Sequence, residues 1–158
     1  AKLKAGEYDA IILAATGVQK LQIEDEVTYF TPVDTDVMVP SMGQATLGIE
    51  TLENQELIDL VSVLHDNDAY IESTVERDFV HTLEGGCQVP IGVKATILEN
   101  DRLKVKAIVG MPDASEMIQE EVEVSIDEYK TIGKELADTF VKQGAKELLA
   151  KAEKVAFA

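Results

Sequence analysis

Two short runs in the second half of the chain constrain its fold more than any other feature. Val93, Ala95 and Ile97 alternate with Lys94 and Thr96, and Leu103, Val105, Ala107 and Val109 alternate with Lys104 and Lys106. Period-two alternation puts one set of side chains on one face of a strand. Glu99-Asn100-Asp101-Arg102 between the runs reads as a hairpin turn, so the two strands pair antiparallel. The apolar face that results must be covered by something. Gly110 to Glu116, with Pro112, leads to a third strand over residues 118–124, and Ser125 with Glu128 three residues on forms a capping box. A helix follows with Ile132, Leu136, Phe140 and Val141 facing inward, interrupted at Gly144 and resumed through Leu148 and Leu149. Before the hairpin, a helix over residues 68–82 places Ile71, Val75 and Phe79 four apart on its buried side. Glu76 and Arg77 lie off that stripe and read as a solvated pair. The expected fold class is α+β, a small three-stranded antiparallel sheet with covering helices over residues 66–158.

The first 65 residues carry different signals. Tyr8-Asp9-Ala10-Ile11-Ile12-Leu13-Ala14-Ala15 is a nearly unbroken apolar run, which suggests a strand buried on both faces in a parallel sheet. Parallel neighbours need crossover connections of a dozen or more residues. Nothing ahead of the run supplies one, so the chain reads as an excised piece of a longer protein. Thr16-Gly17 ends that strand, and Val18, Leu21 and Ile23 form one side of a short helix. Residues 25–39 read as loop and hinge with room for a short strand, and residues 45–50 as a further strand. Asn54 is a good N-cap for a helix with Leu57, Leu60, Val61 and Leu64 in one buried stripe. His65-Asp66-Asn67-Asp68 breaks that helix, can cap the next, and marks the candidate domain boundary. His65 itself reads as a solvated ring at a helix end.

Composition excludes several classes of function. The 158 residues are 46% hydrophobic and 28% charged, as expected of a soluble globular chain. Thirty acidic residues against fourteen basic ones give a net charge of −16, the wrong sign for a nucleic-acid partner. No apolar run approaches the roughly 20 residues a membrane helix needs, and no secretory leader is visible. His65, His81 and Cys87 lack the spacing of a structural zinc site, so no metal is expected. A single cysteine cannot form an internal disulfide, which fits a cytoplasmic location.

That cysteine sits in the run LEGGCQVPIG, residues 83–92, directly behind Gly85 and Gly86 and three residues ahead of Pro90. Glycine opens backbone conformations closed to other residues, and proline removes a ladder donor, so the thiol is presented on a shaped loop. A loop thiol can be a nucleophile or a covalent attachment point once its thiolate is populated. His81 would lower the Cys87 pKa if the loop folded back on it. The spacing leaves these roles open, alongside that of an inert buried thiol.

Four stretches, in order along the chain, resemble the porphobilinogen deaminase (hydroxymethylbilane synthase) family. LEGGCQVPIG is similar to its cofactor-attachment loop, and residues 5–17, AGEYDAIILAATG, to its GxYDAIILAxAG segment. Residues 40–50, PSMGQATLGIE, resemble its PxxGQGxxGIE segment, and Val75-Glu76-Arg77 its AER helix. What they match is the C-terminal half of such an enzyme. The resemblance implies remnants of two α/β lobes ahead of the α+β domain: residues 1–38 end the second lobe, and residues 39–65 return to the first. Residues 66–158 form the C-terminal domain carrying the cysteine loop.

The same resemblance implies an activity and a cofactor. Family members condense four porphobilinogen molecules into linear hydroxymethylbilane with loss of ammonia. They grow the chain on a dipyrromethane primer held by a thioether, here on Cys87, with Gly86 letting the pyrrole lie against backbone. Thr16 and Gly17 would contact a cofactor carboxylate through the backbone. Lys20 stands where the family has an arginine, keeping charge but losing the planar fork. Gln44 would lie beside the cofactor, with Ala45 replacing a family glycine. The catalytic aspartate and most anion-binding arginines belong to the N-terminal half, so no catalytic residue is expected here. Alone, the chain is expected to lack the cofactor and be inactive. The complete enzyme is expected to be a monomer acting on porphobilinogen and pyrrole oligomers, without nucleic acid or membrane. The exposed 8–15 strand could let the piece self-associate. A rival reading makes the chain an acidic α+β interaction module with a buried or redox-active thiol.

Overall fold

A computed structural model describes residues 2–23, 29–84 and 90–156. The chain divides into two compact units, Ala1–Asp34 and Thr35–Ala158.

In the second unit the alternating runs form the antiparallel hairpin β1 (Ile91–Leu98) and β2 (Arg102–Gly110), and β3 (Met117–Ser125) pairs on the far side of β2. The register sets Val93 opposite Ala107, Ala95 opposite Val105 and Ile97 opposite Leu103, so the apolar residues share one face. Asn100 and Asp101 both take positive φ at the turn, a conformation that short polar side chains tolerate.

Three helices cover that face: α3 (Asn67–Thr82), α4 (Ile132–Lys142) and α5 (Ala145–Ala156). Asp66 caps α3 by accepting from Ala69 N. The Ser125–Glu128 capping box opens a short 3-10 helix, Ile126–Lys130, ahead of α4. Gly144, at φ +93, separates α4 from α5. Ile71, Val75 and Phe79 from α3 meet Leu136 and Phe140 from α4 over Val93, Val105 and Val109. The Phe79 and Phe140 rings meet edge to face, centroids 5.0 Å apart. Burying each such side chain contributes roughly 1.5–3 kcal/mol, which makes this core the main source of stability. Gly133 lets α4 approach α3 closely, because a Cβ there would lie 2.4 Å from the Val75 carbonyl oxygen.

The remaining segments depart from their expected forms. Residues 8–14 form no strand, and α1 (Ala15–Leu21) starts directly after them. Ile12 in that run is 74% exposed. The sheet of β1, β2 and β3 is the one formed by the described residues, so this run has no ladder partner, and an unpaired strand leaves its backbone donors unsatisfied. Residues 45–50 likewise form no strand, and Leu47 is 90% exposed. The described part of residues 25–39 contains no strand either. Within α1 only Val18 is buried, and Leu21 is exposed. Asn54 does cap α2 (Gln55–Ser62), accepting from Glu56 N and Leu57 N. The apolar stripe of α2 is not buried, however, and Leu60 remains 68% exposed. A cap and a stripe suffice for a helix, but burial needs a surface to receive the stripe.

Candidate functional site

Strand β1 is where residues 39–45 and helix α3 meet. It opens at Ile91, immediately after Pro90 and the cysteine loop. Cys87 and Gly86 lie outside the described residues. The loop's flanks are described: Leu83 is buried at the end of α3, Glu84 takes φ +57, and on the far side the Pro90 carbonyl accepts from Gly110 N at 3.3 Å.

Residues 39–45, which include Gln44, cross this strand. Val93 N donates to the Pro40 carbonyl at 2.8 Å. Gly92 makes the crossing possible, since a Cβ there would come within 2.8 Å of the Val39 carbonyl oxygen. The turn that follows is closed by Gln44 N donating to Ser41 O at 3.3 Å and Thr46 N to Gly43 O at 2.9 Å. Gly43 takes φ +66 and Ala45 φ +69. The glycine adopts that conformation freely, whereas the alanine is held in it at a cost of about 1–2 kcal/mol. Gln44 is exposed, and its Oε1 accepts from Ser41 Oγ at 3.4 Å.

Glu76 holds the turn to the strand. It was expected to be solvated beside Arg77, yet it is only 4% exposed, while Arg77 is exposed. Glu76 Oε2 accepts from Gly43 N at 2.7 Å, and Oε1 accepts from Ala95 N at 3.0 Å with Lys94 Nζ 3.5 Å away. One turn earlier on α3, Glu72 Oε1 accepts from Ile97 N at 3.0 Å and Oε2 pairs with Lys94 at 2.9 Å. The amides of Val93, Ala95 and Ile97 along the outer edge of β1 are thus taken by Pro40, Glu76 and Glu72. Burying a carboxylate is costly unless it is hydrogen-bonded and paired, and both conditions are met at Glu76. A signal for this was present in the sequence. Glu72 and Glu76 each follow a residue of the buried stripe, at its border, where a long side chain can reach round a sheet edge.

The opposite face of the sheet carries Lys94 opposite Lys106, a like-charge pair that is unfavourable unless neutralised. Lys106 Nζ donates to the Asp36 carbonyl at 2.7 Å, and Lys104 Nζ lies 3.3 Å from the Asp36 carboxylate. Beside the crossing is an apolar groove of about 290 Å³ lined by Val39, Pro90, Gly92, Ile108, Met111 and Met117.

The other expected site residues lie in the first unit. Thr16 and Gly17 occupy the opening turn of α1, where Gly17 N donates to Ala14 O at 3.0 Å. Lys20 is exposed in the last turn of the same helix. His81 is exposed on α3. Among the described residues no cluster of three or more His, Cys, Asp or Glu could hold a metal ion. No described helix is long and apolar enough to cross a membrane.

Taken together, a three-stranded antiparallel sheet backed by helices, its first strand tied to the Gln44 turn, defines an α+β domain. Residues 70–142 match the family model described as porphobilinogen deaminase, C-terminal domain, and residues 1–59 match that of the porphobilinogen deaminase dipyromethane cofactor binding domain. The chain is 67% identical over 157 residues to the porphobilinogen deaminase of Aliarcobacter butzleri, covering 99% of this chain and 50% of that one. The counterparts in Nitratiruptor sp. and Campylobacter concisus are 49% identical over 156 residues (99% of this chain) and 50% over 155 (98%), each match again covering 50% of the relative. The chain belongs to the porphobilinogen deaminase family, which disfavours the interaction-module reading, and it spans about half the length of the curated relatives it matches.

Proposed function

We propose that this chain works as the C-terminal half of a hydroxymethylbilane synthase, a transferase that joins four porphobilinogen molecules into hydroxymethylbilane with release of ammonia. The observation that carries the reading is the match to two successive domains of one family, in order, on a chain whose cysteine loop opens onto the strand gripping the Gln44 turn. In this reading residues 1–38 and 39–65 belong to two α/β lobes and residues 66–158 to the C-terminal domain. The two matched segments, residues 1–59 and 70–142, support the division near residue 65.

Cys87 carries the cofactor. This residue would hold the dipyrromethane through a thioether, its sulfur supplying the soft nucleophile toward the pyrrole methylene. The dipyrromethane then supplies the free pyrrole position on which the product chain grows. Gly86, having no side chain, would let a pyrrole ring lie against the backbone. Thr16 and Lys20 offer donors to the carboxylates of the cofactor. Gly17, whose amide closes the first turn of α1, contributes chiefly by lacking a side chain. Gln44 presents its exposed amide to the pyrrole nitrogens or carboxylates. The groove beside Gly92 is apolar and suits a ring edge rather than an acetate or propionate. The chemistry of this set fits a dipyrromethane in part: a nucleophile, an amide and one cation are here, and the remaining cations and the acid–base aspartate come from the other half.

Alone, the chain neither assembles the cofactor nor turns over. Its exposed apolar residues at 11–13, 47–52 and 57–64 are surface for the missing half to cover, and without it they favour self-association. The complete protein is a cytoplasmic monomer.

The test pairs this chain with the N-terminal half of the Aliarcobacter butzleri relative and incubates the pair with porphobilinogen. The expected result is an intact mass raised by two pyrrole units on this chain, abolished by Cys87→Ser, with tetrapyrrole produced only by the pair. An unmodified Cys87 in a pair that nevertheless produces tetrapyrrole would overturn the assignment.

A further inference from the structure

We infer that Glu76 is a positioning residue, and that its role rests on the functional reading above. Its two carboxylate oxygens clamp the Gln44 turn to the outer edge of β1, and so fix the backbone from which the glutamine amide projects.

Three observations carry this. The carboxylate is almost wholly buried and lies 3.5 Å from Lys94 Nζ, yet both of its oxygens are also taken by backbone amides. Each of its oxygens accepts from a different backbone segment: Oε2 from Gly43, one residue before Gln44, and Oε1 from Ala95, in β1. Gly92 and Val93 brace the same segment two residues earlier, Gly92 through its missing Cβ and Val93 through its bond to Pro40. Gly43 falls in the part matched by the cofactor-domain model and Glu76 in the part matched by the C-terminal model. The clamp therefore adds a side-chain link from α3 to a segment that β1 already holds through Val93 and Gly92.

A glutamate that merely protected the sheet edge would need no second contact. Glu72 is that control within the same molecule: it accepts from Ile97 N and pairs with Lys94, and it does not touch the Gln44 turn. The difference between Glu76 and Glu72 is the bond to Gly43.

The experiment has two arms. In the first, amide hydrogen exchange is measured on the 158-residue chain. Glu76→Gln can keep one acceptor but not both, so the Gly43 amide is expected to exchange at least about tenfold faster while those of Val105 and Phe140 stay protected. Glu72→Gln is expected to leave Gly43 unchanged. Unaltered exchange at Gly43 in Glu76→Gln would overturn the clamp. Should that variant not fold, Gly92→Ala pushes the crossing segment off β1 at Val39 and Pro40 and is expected to expose Gly43 in the same way; protection at wild-type level there would equally overturn it. In the second arm the paired halves are incubated with porphobilinogen and the mass gain at Cys87 is followed in time. Glu76→Gln is expected to load about tenfold more slowly than wild type, and Glu72→Gln at the wild-type rate. Equal slowing in both variants would reduce Glu76 to edge protection and overturn the positioning role, as would equal loading in all three. Failure of the wild-type pair to load would strike the functional reading alone, with the first arm still deciding the clamp.

Discussion

Helices α2 and α3 follow one another in the chain and begin alike, but end in opposite circumstances. Each is capped by a side chain, Asn54 for one and Asp66 for the other, and each carries an apolar stripe at helical spacing. The stripe of α3 lies against α4 and the sheet, with Val75 and Phe79 fully buried, whereas no residue of α2 is buried. The pair separates two contributions that are usually confounded. Local chemistry decides that a helix forms and where it starts, and tertiary contact decides what that helix is worth to the fold.

That contrast can be tested by substitution, beginning where the effect is greatest. Phe79→Ala should cost about 3–5 kcal/mol, because it empties the centre of the α3–α4 contact and removes the aromatic pair with Phe140. Urea unfolding followed by far-ultraviolet dichroism measures it; a loss below about 1 kcal/mol would mean that α3 is no better packed than α2. Gly133→Ala should cost about 1–3 kcal/mol by forcing α4 away from the Val75 carbonyl, and a variant of unchanged midpoint would show that the close approach is dispensable. The caps sharpen the comparison. Asp66→Ala should lower global stability by about 1 kcal/mol, since α3 unfolds with the core, while Asn54→Ala should fray α2 and leave the unfolding midpoint in place. Equal shifts from both would tie α2 to the cooperative unit. Smallest of all, Leu60→Ser on the open stripe of α2 should change stability by less than about 0.5 kcal/mol. The same variant should reduce concentration-dependent association in sedimentation velocity, and a rise in association would contradict the assignment of that stripe as a contact surface.

Legibility in the sequence followed the range of the interactions involved. The 91–110 hairpin was readable because alternation and turn lie within twenty residues, so the signal and its partner are local. The capping box at Ser125 and Glu128 and the break at Gly144 were readable for the same reason. The apolar run at 8–15 carries an equally strong strand signal, but a strand of that kind exists only with neighbours, and no described residue pairs with it. Residues 45–50 fail likewise. Of the site, the family resemblance singles out Gln44 and the alanine that replaces a family glycine at 45, and Ala45 does take a positive φ, but the turn itself falls partly where a strand was expected. Glu76 could not be read this way. Its neighbour Arg77 suggested a solvated pair, and only the meeting of α3, β1 and residues 39–45 turns a charged side chain at the border of a stripe into a buried clamp.

The capped margin of β1 has a further consequence, for how this molecule can misassemble. A foreign strand that tried to add itself there would meet three amides already engaged by Pro40, Glu76 and Glu72, and would have to evict two anions before forming its first rung. Fibril-like growth is blocked along that side of the sheet. Association of the chain is left to the opposite edge of the sheet, at β3, and to the apolar side chains exposed elsewhere.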